Sequence, residues 1–94
     1  MFYSKMSDTY DITLYDIISE YRETKFVNYE KIYFMLNQYI NNNKTFIKEI
    51  VDQLLLNPMF QDECQKTSPN LIKIKSFILQ SYNIVKKNKN QEID

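Results

Sequence analysis

Apolar residues recur along this chain at helical rather than strand spacing. Leu14, Ile17, Ile18 and Tyr21 fall at i, i+3, i+4 and i+7, which puts them on one helix face. That spacing predicts a helix over 12–23, with Asp11 or Thr13 as its N-cap. A second helix over 29–41 carries Tyr29, Ile32, Tyr33, Leu36, Tyr39 and Ile40 on one face. It is entered through Asn28, with Val27 and Ile32 placed for a hydrophobic staple. Asn41-Asn42-Asn43 reads as the break after it, because Asn tolerates left-handed backbone. A third helix over 45–56 carries Phe46, Ile47, Ile50, Val51, Leu54 and Leu55.

Asn57-Pro58 and Ser68-Pro69 each read as an N-cap followed by Pro at the first helical position. They predict a short helix over 58–66, with Met59, Phe60 and Cys64, and a long one over 69–87, with Leu71, Ile74, Ile78, Tyr82 and Val85. Residues 1–10 form an arm or a helix extension, and 88–94 a polar tail. No segment alternates cleanly over five or more positions. The expected fold is all-α: a compact bundle or orthogonal array of four to five short helices, one domain over 11–87, with the C-terminal helix longest and central.

Two helices carry more apolar side chain than one stripe requires. On 29–41, Phe34 lies opposite the main face among Glu30, Lys31, Asn37 and Gln38. On 69–87, Phe77 and Ile84 widen the stripe on one flank, and Ile72 and Leu79 on the other. A helix apolar nearly all round is buried at the centre of a fold or presents part of itself to another chain. The expected partner-binding residues are Phe34, Phe77, Ile84, Ile72 and Leu79, with Phe34 exposed.

Composition narrows the chemistry. In 94 residues there are no glycines and no histidines, and there is one cysteine. Without glycine there is no phosphate-cradling loop or dinucleotide turn. Without histidine, Ser-His and Cys-His pairs and His-containing zinc sites are excluded. Cys64 fits a reducing compartment or a small apolar core position. The lack of alanine, the single Arg22 and the wealth of Ile, Asn, Tyr and Lys match coding from an AT-rich genome. No catalytic, metal or cofactor residue is expected, and no small-molecule substrate. With no signal-peptide core and no apolar run of membrane-spanning length, the expected location is intracellular and soluble.

Charge is balanced at 12 Lys+Arg against 12 Asp+Glu, but unevenly placed. Residues 1–30 carry Asp8, Asp11, Asp16, Glu20, Glu23 and Glu30 against Lys5, Arg22 and Lys25. Residues 66–94 carry Lys66, Lys73, Lys75, Lys86, Lys87 and Lys89 against Glu92 and Asp94. Asp16, Glu20 and Glu23 form one helix edge and read as a solvated face. Lys73, Lys75, Lys86, Lys87 and Lys89 are the residues that would meet nucleic acid through phosphates. Overall neutrality and the spread of these lysines argue against it.

The first functional expectation is therefore a non-enzymatic helical interaction module binding another protein chain: an adaptor, a complex-assembly subunit or a homo-oligomer. The second is a small inhibitor or immunity-type protein acting on one protein target. The third is an accessory nucleic-acid binder.

Overall fold

The computed structural model describes residues 4–39 and 46–93, with side chains over 11–39 and 46–89. Five helices follow in order: α1 Ser4–Thr24, α2 Tyr29–Leu36, α3 Ile47–Leu55, α4 Pro58–Gln65 and α5 Leu71–Ile93. The described residues contain no strand, and the fold is all-α. The first helix begins at Ser4, so 4–10 continue its backbone, and α5 runs through most of the segment read as a tail. The break expected at Asn41–Asn43 and the side chains of residues 1–10 lie outside what is described.

Chain order and packing coincide. Helices α1 and α2, α2 and α3, α3 and α4, and α4 and α1 are neighbours, and α5 lies against all four. The C-terminal helix is thus the longest element and the central one. The molecule is only 18 Å through its shortest dimension, room for two layers of helices about 8–10 Å apart. A helix in either layer keeps one face open. The core gathers Leu14, Ile17 and Ile18 from α1, Ile32, Met35 and Leu36 from α2, Ile50, Val51 and Leu54 from α3, Phe60 and Cys64 from α4, and Ile74 and Ile78 from α5. Tyr21 meets Phe60 edge-on, with ring centroids 5.3 Å apart.

A chain without glycine cannot close its helices with the usual left-handed glycine, and side-chain donors take over. The Gln38 amide donates to the Phe34 carbonyl at the end of α2 (3.1 Å). The Gln61 amide donates to Leu55 at the end of α3 (2.7 Å). Arg22, the only arginine, reaches from α1 to the end of α4, where Nε donates to the Cys64 carbonyl and Nη2 to that of Lys66. Asparagine caps the other ends. Asn28 Oδ1 accepts from Glu30 and Lys31, Asn57 Oδ1 from Met59, and Asn70 Oδ1 from Ile72 and Lys73.

Two further boundaries differ from the sequence reading. Helix α2 ends at Leu36 rather than 41, because the Gln38 and Tyr39 amides turn back to Met35 and Leu36. Tyr39, placed on the buried face by periodicity, is consequently exposed. Only one Asx/Ser-Pro pair starts a helix as expected. Pro58 follows its cap directly, whereas Ser68-Pro69 precedes the true cap, Asn70, and α5 starts two residues later than predicted.

Lys25 closes α1 in the left-handed region, φ 64°, the one such residue among those described. Its amide bonds the Tyr21 carbonyl at 2.8 Å. An L-residue there costs about 1–2 kcal/mol, partly offset against glycine by glycine's freer unfolded chain. Lys25→Gly should therefore raise the unfolding free energy by about 0.5–1 kcal/mol in urea titration. A lower midpoint would contradict this account of the turn.

Candidate interaction surface

Helix α5 divides into two faces. Ile74, Phe77, Ile78, Ser81 and Val85 are buried, at the i, i+3, i+4, i+7, i+11 spacing of one stripe. Ser81 is the polar member, and its hydroxyl donates back to the Phe77 carbonyl at 2.9 Å, so it enters the core without an unmet hydrogen bond. The opposite face, with Ile72, Lys73, Ser76, Gln80, Asn83, Ile84 and Lys87, is exposed.

Two shallow troughs flank this outward ridge. On the α2 side, Tyr39, Ile72 and Leu79 line one with Lys75. On the α4 side, Met59, Phe77 and Lys73 line the other with Asp62 and Lys66. They meet at Ser76 and Gln80, which border both. The result is a polar ridge with apolar side chain on either hand.

The five residues expected to bind a partner are not brought together as one patch. Ile72 is 75% exposed and Ile84 43%, and both stand on the outward face of α5. Leu79 is half-buried in the α2-side trough. Phe77 is a core residue at 8% exposure and contributes only the floor of the other trough. Phe34 was expected in solvent but is half-buried against the core. The reason is that α2 is short and has α1, α3 and α5 as neighbours, which leaves little of its circumference free.

Periodicity did not single out several other exposed apolar residues: Ile12 and Tyr15 on α1, Phe26 before α2, Leu56 between α3 and α4, and Met59 on α4. A local signal exists for Phe26. Asn28 is in extended backbone, so side chains alternate there, and burial of Val27 as the staple turns Phe26 outward.

The lysines do not converge. Lys73 and Lys87 share the outward face of α5. Lys86 lies over the Tyr82 ring at 5.9 Å, while Lys89 pairs with Glu49 on α3 at 3.5 Å and covers Phe46. On α1, Asp16 and Glu23 are exposed and Glu20 half-buried. Among the described residues no three acidic or cysteine side chains could hold a metal.

The junction of α4 and α5 is the polar anchor of the surface. Buried Glu63 accepts from the Asn70 amide at 2.8 Å and pairs with Lys66 at 3.1 Å. The Asn70 amide first, then Lys66, holds its carboxyl below the usual range. Next to it, burial pushes the Cys64 thiol up to about 11, so it stays protonated at neutral pH, inaccessible and poorly nucleophilic. No helix among the described residues is long and apolar enough to cross a membrane.

Comparison with protein-family models, curated proteins and solved structures finds no match to this chain.

Two outcomes follow. Phe34→Asp should cost about 2 kcal/mol of stability, whereas Ile72→Asp should leave the urea midpoint nearly unchanged. Equal losses would contradict the division between packed and free positions. Glu63 has a folded pKa below its unfolded one, so its contribution is complete above the unfolded value and lost as pH falls through the folded one. Stability should thus drop on acidification, and Glu63→Gln should flatten that drop. An unchanged acid limb in the variant would remove Glu63 from the account.

Proposed function

We propose that this chain is a non-enzymatic helical interaction module, an adaptor or assembly subunit that binds another protein through the outward face of α5 and its two troughs. The observation that carries this reading is the division of α5. The helix has all four others as neighbours, yet keeps Ile72 and Ile84 in solvent, with exposed Tyr39 in the trough on one side and exposed Met59 in the trough on the other. Single exposed apolar residues are ordinary. Here four of them border one ridge and its flanking troughs, and aromatic and Met side chains are enriched at protein interfaces.

Binding would bury Ile72, Leu79, Tyr39 and Met59, with Gln80 and Asn83 supplying hydrogen bonds at the ridge. A photoreactive residue at position 72 tests this in the cells that make the chain. Crosslinked protein adducts should form there and not from the same residue at Lys48, which is exposed on α3. Equal yields at the two positions, or none at 72, would contradict the reading.

A further inference from the structure

We propose that the chain bound at α5 is a second copy of this one, which lays the outward stripe of its α1 (Ile12, Asp16, Ser19 and Glu23) along the outward face of α5 (Ile84, Gln80 and Lys73). The inference deepens the reading above by naming the occupant of the same face.

Charge segregation is the first argument. No basic residue occurs between Lys5 and Arg22, and no acidic residue between Glu63 and Glu92. Helix α1 therefore presents acid to solvent and α5 presents base. Among the described residues, the ion pairs are Lys48–Asp52, Lys66–Glu63 and Lys89–Glu49. Among those residues Asp16, Glu23 and Lys87 have no ion pair within the chain, while Lys73 faces Glu63 across the α4-side trough and helps to hold its carboxyl below the usual range. Arg22 is committed to the carbonyls of α4.

Placement is the second argument. Glu23 stands in the last turn of α1 and Lys73 in the first turn of α5, where each has the wrong sign for its own helix dipole. Glu63, which accepts from the backbone N–H of Asn70 at the same helix start, already offsets Lys73; another chain's positive charge would relieve Glu23.

Register is the third. Ile12 and Glu23 are eleven residues apart on α1, as are Ile84 and Lys73 on α5. Eleven residues make about three turns and 16 Å, so both pairs lie on one face. An antiparallel approach sets Ile12 on Ile84, Asp16 beside Gln80 and Glu23 on Lys73. A chain of zero net charge also offers little repulsion between copies. Because each copy carries both faces, the contact either closes as a two-fold dimer or continues head to tail.

Light scattering and sedimentation of the full chain test this. The wild-type mass should rise with concentration, less so at high salt. A variant with Asp16→Lys and Glu23→Lys, and another with Lys73→Glu and Lys87→Glu, should each associate roughly tenfold or more weakly. An equal mixture of the two should restore a species of twice the chain mass, since one intact α1 still meets one intact α5. Circular dichroism should show both folded, and Asp16→Asn with Glu23→Gln replaces the first if helicity falls. A monomeric wild type at every concentration, undiminished association of either variant, or a mixture that stays monomeric would overturn the inference. A monomeric wild type that still forms foreign adducts through position 72 would overturn it while leaving the broader reading standing.

Discussion

Everything in this molecule depends on one helix face being shared. Ile74, Phe77, Ile78 and Val85 are the part of α5 on which the other four helices close. Intrinsic preference offers little help, because the chain has no alanine and is rich in Ile, Tyr and Asn. Short helices such as α2, α3 and α4 would be marginal in isolation. Their helicity is a product of packing, and α5 is what they pack on. With two layers, the same arrangement leaves the other side of α5 in water. Core and candidate binding face are therefore two sides of a single element.

The absence of glycine shapes the connections. Helix ends that a left-handed glycine would close are closed by Gln38, Gln61 and Arg22, while Asn28, Asn57 and Asn70 begin helices. Two of these donors reach into another helix's end, so capping doubles as tertiary structure: Arg22 ties α1 to α4, and Gln61 ties α4 to α3. Glu63 extends the chain of contacts from α4 to the start of α5. This polar wiring holds the α4 side of the outward face in place without drawing on the side chains of Ile72, Gln80 or Ile84.

Fold class, helix number and the central place of the last helix were legible in the sequence, because the i, i+3, i+4, i+7 pattern of Leu14 to Tyr21 or Ile74 to Val85 survives any weakness of local propensity. Boundaries were less legible where the deciding bond is tertiary or competes with a neighbour. Ser68-Pro69 has the form of a cap, but Asn70 has its amide fixed by Glu63 and caps instead. The candidate surface was legible in part. Periodicity says which residues of α5 leave the main stripe, as Ile72 and Ile84 do. It does not say how far a stripe widens when several helices converge, and that is why Phe77 and Phe34 went inward. Arg22 gave no sequence signal of its role, since its acceptors lie more than forty residues away.

The most direct test is a substitution scan of every position in α5, read once for folding and once for association. Folding losses should fall on Ile74, Phe77, Ile78, Ser81 and Val85, and association losses on Ile72, Lys73, Gln80 and Ile84, with little overlap. If polar substitutions at Ile72 and Ile84 unfolded the chain as readily as those at Ile74, α5 would have no free face and the account would fail.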